Sequence, residues 1–269
     1  MSAAARIAGF LKPHRWDSRL LALFLGVAIV MFGLLKLVSE VSEGDTFALD
    51  KAILRGLRLA GNPGVPLGPE WLRAAMIDFT ALGSVGVLTL ITVLAVGYLL
   101  VARKFHTAGF AAACIAVGTS LSSIMKTLLM RPRPEIVPHL VNVSSSSFPS
   151  GHSMNAAIVY LTLATLLARG ENNRAVQAYL IGVAIFLALL VGATRVYLGV
   201  HWPSDVVAGW AMGGMWAAGS SLIAKHLQSQ REIEPASFIA QPSDAVLFGG
   251  SIVVRSSGRD GRAASNSEM

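Results

Sequence analysis

A chain of 269 residues with 54% hydrophobic and only 14% charged residues, at a mean hydropathy of +0.60, departs from soluble globular domains and falls with integral membrane proteins. The net charge of +7 and pI near 10.0 do not mark a nucleic-acid binder, because the basic residues are spread over several flanks rather than gathered in one patch. The single cysteine, Cys114, excludes an intrachain disulfide, and its place inside an apolar run makes it a poor nucleophile.

In chain order, windows of about 19 residues pick out six apolar segments, roughly 20–38, 82–102, 108–129, 153–169, 176–194 and 204–225. Each is long enough to cross a hydrocarbon core about 30 Å thick as a helix. None carries a polar face over most of its length, which argues against buried helices of a soluble protein. The fold expected is therefore all-α: a polytopic membrane protein with six transmembrane helices. Arg6, Lys12 and Arg15 precede the first segment, but no small-x-small cleavage site follows in KLVSEVSEGD, so it reads as an uncleaved anchor rather than a signal peptide. Residues 45–61 place Leu49, Ile53, Leu57 and Ala60 at helical spacing, equally compatible with an interfacial helix on the outer leaflet and with a plain loop helix. The Gly and Pro residues of 61–69 are expected to break regular structure. Gly209 and Gly213 form a small-xxx-small pair suited to helix packing. From about 230 the chain is rich in Ser, Gly, Arg and acidic residues, the composition of a disordered tail.

Basic residues set the orientation. Arg6, Lys12, Arg15 and Arg19, then Arg103 and Lys104, then Arg169 and Arg174, then Lys225 and Arg231 flank alternate segment ends and belong in the cytoplasm. The 39–81 stretch is net acidic and belongs outside. Both termini are then cytoplasmic, with 1–19 a cytoplasmic N-terminus, 20–228 a six-helix domain bearing the outer loop 39–81, and 229–269 a cytoplasmic tail. Lys126, Arg131, Arg133 and Arg195 fall on the outer side, where the charge bias disfavours them.

These exceptions gather beside two histidines. The run SSSSFPSGHSMNAA, residues 144–157, places His152 on a Gly-containing turn at the start of an apolar helix. Alone, it reads as an ordinary N-cap or as a helix N-terminus holding an anion. In GATRVYLGVHWPSDVVAG, Arg195, His201 and Asp205 share one short connection, and Pro203 suits the first turn of the sixth helix. Asp205 lies about one helical step beyond His201, where a carboxylate fixes the imidazole tautomer and leaves the other nitrogen lone pair free. Together, the cations, the helix N-terminus and two histidines meet the requirements of phosphoryl transfer: bidentate arginine donors, a lysine point charge, backbone N–H groups, a nucleophile and an acid.

Lys126, six residues, then Arg133-Pro134; Pro149-Ser150-Gly151-His152; and Arg195, five residues, His201, three residues, Asp205 resemble the three-part signature of the type 2 phosphatidic acid phosphatase superfamily. The likeness spans about 126–209, with Thr194 where the family usually has Ser before the third-block arginine. The resemblance implies that His201 is the nucleophile forming a phosphohistidine, that Asp205 orients it, and that His152 protonates the leaving group and later activates water. It implies that Lys126, Arg133 and Arg195, with the Ser150 hydroxyl and the Gly151 N–H, bind the phosphoryl oxygens. The site would lie at the outer-leaflet end of helices 3 to 6.

Neither a Cys-x5-Arg nor an Asp-x-Asp motif is present, and no outer acidic or histidine cluster suits paired metals, so metal-independent catalysis without a cofactor is expected. The expected activity is a lipid phosphate phosphatase acting on phosphatidic acid or phosphatidylglycerophosphate at the periplasmic face of a bacterial inner membrane. An undecaprenyl (isoprenyl) diphosphate phosphatase is the alternative. A lipid phosphotransferase or a phosphate-lipid binder is a third reading. The partners expected are the lipid substrate and the membrane, with no nucleic acid and no obligate protein partner.

Overall fold

A computed structural model describes residues 48–230, together with Phe32, Gly33, Lys36, Ser39 and Ile233. The first expected segment, apart from isolated positions, and the expected tail beyond 230, apart from Ile233, lie outside the described residues. The described chain begins with helix α1 (Ala48–Gly56), whose first turn holds Asp50. The helix expected over 45–61 is shorter than its apolar spacing indicated. Arg58 already belongs to a strand: β1 (Arg58–Leu59) pairs antiparallel with β2 (Asn62–Pro66), turning at Gly61 with φ +83°. The Gly- and Pro-rich stretch thus carries an edge ladder instead of being wholly irregular, since Pro is tolerated where its missing N–H costs no ladder bond.

Helix α2 (Glu70–Thr80) follows, then a 3-10 turn (Ala81–Gly83) and α3 (Val85–Val101), which Ser84 caps by accepting the Val87 N–H at 3.4 Å. Four long helices complete the order: α4 (Phe105–Leu129), α5 (Gly151–Arg169), α6 (Arg174–Tyr197) and α7 (Pro203–Ser229). Among the described residues, α4 to α7 are each long and apolar enough to span a membrane. With 17 residues, α3 reaches that length only jointly with α2 and the 3-10 turn, from which it is bent by 51°. Among the described residues the fold is mostly helical, with four to five candidate spans.

Helix α5 is the axis of the bundle, with Ser153, Met154, Ala156, Ala157, Ile158, Val159 and Tyr160 consecutively or nearly consecutively buried. Its small side chains let the neighbours approach closely. Helix α7 does so at two glycines: a Cβ on Gly209 would lie 2.9 Å from the Ser150 carbonyl oxygen, and one on Gly213 would lie 2.6 Å from that of Met154. The outer faces of α3, α4 and α6 expose Leu94, Val93, Leu128, Phe186 and Tyr179. Apolar surface of that extent is stable against lipid and not against water. This packing brings the C-terminal ends of α4 and α6 beside the N-terminal ends of α5 and α7, so the polar residues of four helices share one end of the bundle.

The glycine contacts give a paired expectation. Gly213→Ala drives a methyl into the α5 backbone and should destabilise the protein by about 1–3 kcal/mol, more than the gain in helix propensity returns. Gly214→Ala, where nothing lies within 4 Å of the added Cβ, should leave the thermal unfolding midpoint in detergent unchanged or slightly raised.

Candidate active site

The short turn between α6 and α7 carries His201, which is almost wholly buried. Gly199, at φ +73°, reverses the chain there, and a Cβ on it would meet the Arg58 guanidinium at 2.6 Å. Arg58 also donates to the Tyr197 carbonyl at 3.0 Å, while the Tyr197 hydroxyl donates to the Leu67 carbonyl at 2.9 Å. The segment before α2 thus buttresses the turn from beneath. Pro203 starts α7, and the Asp205 carboxylate returns to accept the Trp202 N–H at 2.9 Å, closing the first turn.

His201 Nδ1 lies 3.5 Å from Asp205 Oδ2, long for a hydrogen bond, and no other partner occupies that nitrogen. On the other side of the ring, Arg133 Nη1 is 3.3 Å from His201 Nε2. A guanidinium only donates, so Nε2 carries the lone pair and the proton sits on Nδ1, facing Asp205. Burial draws the His201 pKa down to about 4, helped by the charges of Arg133 and Arg195 and opposed by Asp205. The ring is then neutral at neutral pH, with its lone pair at Nε2, where Arg133 points an N–H.

Asp205 is fully buried and strongly engaged. Arg131 Nη1 donates to its Oδ1 at 2.5 Å, and the Ser147 hydroxyl donates to its Oδ2. Arg131 is itself buried beneath Trp202, 5.5 Å from the ring centroid, and its Nη2 reaches Asp50 Oδ2 at 3.4 Å. Asp50 in turn accepts the Ser204 N–H at 2.9 Å and the Ser204 hydroxyl at 2.5 Å. A chain of charges therefore runs from α1 through Arg131 to the carboxylate behind His201.

In front of His201 opens a cavity of about 430 Å³, lined among others by Lys126, Arg133, Gly151, His152, Arg195 and Thr80. Lys126 Nζ is held by the Ser146 carbonyl at 3.1 Å, and its stem runs so close to Gly151 that a Cβ there would sit 2.8 Å from Cε. Arg195 Nη1 donates to Thr80 Oγ1 at 3.0 Å, tying α6 to α2. Arg133 donates to the Ser145 and Val200 carbonyls at 2.7 and 2.5 Å; burial lowers its pKa against the pull of Asp205, but a guanidinium stays charged. Three cations and two imidazoles thus converge on one volume, an arrangement suited to a phosphate with its leaving group.

Of the residues singled out in the sequence, Lys126, Arg133, Gly151, His152, Arg195 and His201 line this cavity, and Asp205 stands behind His201. Ser150 does not line it: the residue is fully buried and its hydroxyl accepts from Ser153 Oγ at 2.9 Å, while its N–H donates to the Asp205 carbonyl. Asp50, Arg131 as an ion-pair partner, Ser147 and Thr80 enter the neighbourhood without having been marked. Arg131 had a signal, being a cation on the disfavoured side of the membrane two residues from Arg133. Asp50 and Thr80 had none, since their roles depend on contacts across 154 and 115 positions of chain, to Ser204 and Arg195.

Comparison with known proteins identifies the family. Residues 107–228 match the PAP2 superfamily. Phosphatidylglycerophosphatase B of Bacillus subtilis (strain 168) is 34% identical over 191 residues, covering 70% of this chain and 88% of the relative. An undecaprenyl-diphosphatase of Sulfolobus acidocaldarius is 38% identical over 87 residues, 32% of this chain and 34% of that protein. The crystal structure of a transmembrane PAP2 type phosphatidylglycerolphosphate phosphatase from Bacillus subtilis superposes with a TM-score of 0.66 at 29% identity, over 75% of this chain and 96% of that one.

The buried ion pair yields a stability test. Arg131→Met leaves the Asp205 charge without its cation and should cost about 3–5 kcal/mol, read as a lowered unfolding midpoint in detergent. Asp50→Asn keeps an acceptor for the Ser204 N–H and should cost only about 1–2 kcal/mol. An unchanged midpoint for Arg131→Met would show that Asp205 does not depend on it.

Proposed function

The chain belongs to the PAP2 superfamily, and on that premise we propose that its cavity hydrolyses a lipid phosphate through a phosphohistidine at the outer face of the membrane. That the protein is an integral membrane lipid phosphatase, a hydrolase of phosphoric esters, follows from the family and its phosphatase relatives. The mechanism rests on one observation, His201 lining a cavity with Lys126, Arg133 and Arg195 and holding its Nε2 beside Arg133.

His201 Nε2 attacks phosphorus; the P–N bond forms as the P–O bond to the lipid alcohol breaks, and His152 supplies the proton that the leaving oxygen takes. Water then attacks the phosphohistidine, His152 receives its proton, the P–N bond breaks and inorganic phosphate departs. Lys126, Arg133, Arg195 and the Gly151 N–H stabilise the equatorial oxygens, and Asp205 stabilises the positive charge that develops on His201. No step calls for a metal ion or a cofactor.

Phosphatidic acid or phosphatidylglycerophosphate is the favoured substrate class, supported by a Bacillus subtilis relative that matches most of the chain and is named for the latter. An isoprenyl diphosphate is the second reading, supported by the shorter match to an undecaprenyl-diphosphatase. Capture of the phosphohistidine by an alcohol in place of water would make the protein a phosphotransferase. The charge bias of the flanks supports six spans, with the first in 20–38, both termini in the cytoplasm and the cavity facing the periplasm of an inner membrane. Phosphate release from a panel of purified lipid phosphates, with chelator present, tests the function and ranks the substrates.

The two histidines should separate cleanly. His201→Ala should form no phosphoenzyme with any substrate. His152→Ala should fail on lipid phosphates, whose alkoxide needs a proton, yet still be phosphorylated by nitrophenyl phosphate and accumulate an acid-labile, alkali-stable adduct. An adduct trapped in His201→Ala but not in His152→Ala reverses the roles.

Topology is open to thiol labelling in intact cells. Cysteine at His139 or Ser144 should react with a membrane-impermeant reagent, and cysteine at Lys104 or Asn172 should not; equal labelling at 104 would put the cavity on the other face.

A further inference from the structure

The cavity in front of His201 adjoins a second one of about 360 Å³ between α3, α4 and α5, and the two share Val85, Ser123 and Asn155 in their walls. Asn155 stands at this junction, three residues and so one helical turn beyond His152 on the same face of α5. Its Oδ1 is buried and has no hydrogen-bond partner. An amide oxygen orphaned in a protein interior costs about 1–3 kcal/mol until a donor reaches it. Three neighbouring hydroxyls are engaged elsewhere: Ser123, Thr92 and Thr119 donate to the Thr119, Leu88 and Ile115 carbonyls of their own helices, at 3.2, 2.7 and 2.9 Å.

Resting on the reading of the first cavity as the phosphatase site, we infer that Asn155 is a specificity-determining residue that accepts a hydrogen bond from a hydroxyl on the leaving alcohol. Rotation of the amide about its soft terminal torsion turns Oδ1 toward the cavity that the residue lines. Because His152 protonates the leaving oxygen, the carbon next to the one bearing that oxygen comes opposite Asn155. The substrate class is therefore a lipid phosphomonoester with a hydroxyl on that neighbouring carbon, as in a glycerol phosphate headgroup. An ester carbonyl only accepts and leaves Oδ1 orphaned, and an isoprenyl chain offers it nothing. Beyond Asn155, Leu88, Val93, Ile115 and Val159 line the second cavity and receive the apolar remainder.

The test is a pair of substrates that differ by one hydroxyl, 1-oleoyl-glycerol 3-phosphate and its 2-deoxy analogue, assayed on the full-length protein in mixed micelles. The wild type should favour the hydroxyl-bearing lipid by about tenfold in kcat/KM. Asn155→Leu, of similar volume, should bring the ratio near one, while Asn155→Asp, which keeps an acceptor, should retain the preference even if both rates fall. A wild-type ratio near one overturns the inference, as does a ratio unchanged in Asn155→Leu. Should Asn155→Leu not fold, the wild-type ratio and its retention in Asn155→Asp decide. Cleavage of farnesyl phosphate with neither glycerol substrate cleaved overturns the inference and spares the phosphatase reading; no release from any of the three removes both.

Discussion

A carboxylate removed from water at the head of an apolar helix demands a partner, and Asp205 finds one in Arg131, itself buried and bound to Asp50. Neither charge can be left alone at that depth without a penalty of several kcal/mol. The need fixes geometry as much as it contributes energy. Satisfying it pins α1, the strand-like exit of α4, the Ser147 loop and the first turn of α7 to a single point. His201 hangs from that point on the five-residue turn 198–202, with Gly199 and Arg58 setting its pitch. Such networks are weak evidence for net stability but good evidence for a defined position.

The opposite sign dominates the other side of His201. Lys126, Arg133 and Arg195 crowd one cavity, where their mutual repulsion is moderated mainly by Asp205 behind the ring. Membrane helices carry such charges rarely, and chiefly where an ion or polar substrate is handled. Each cation is held in place by neutral groups, Thr80, Ser145, Ser146 and the Val200 carbonyl. In the proposed reaction a phosphate dianion would meet donors oriented before it arrives, leaving little reorganisation for the moment of reaction.

Much of this was legible in the sequence for identifiable reasons. The apolar runs gave the long helices to within a few residues, because lipid permits only fully hydrogen-bonded spans. Lys126, Arg133, His152, Arg195 and His201 were readable as a set because each sits at a helix end or turn whose flanking Pro and Gly mark it. The region before α2 was not. Its short helix and ladder are stabilised by Asp50 and Arg58 reaching a turn more than 135 residues away, and no local period records that. Ser150 shows the converse: a residue in the right motif, whose hydroxyl local packing turned toward Ser153. Asn155 carries no local sequence signal, and only the cavities on either side of it distinguish it.

Helix α5 has 19 residues, from the turn that bears His152 to Arg169. At 1.5 Å per residue that is about 28 Å, close to the thickness of a bilayer's hydrocarbon core. If α5 spans that core, His152 lies at the depth where headgroups meet chains, and on the proposed function a phosphate could reach it while its tails stay among their neighbours. Lifting a lipid out would forfeit about 0.8 kcal/mol for every methylene exposed, on the order of 12 kcal/mol for one long acyl chain. With the cavity at that depth, the proposed reaction avoids the barrier: substrate would arrive by lateral diffusion in two dimensions, and the product alcohol would be released into the bilayer it never left.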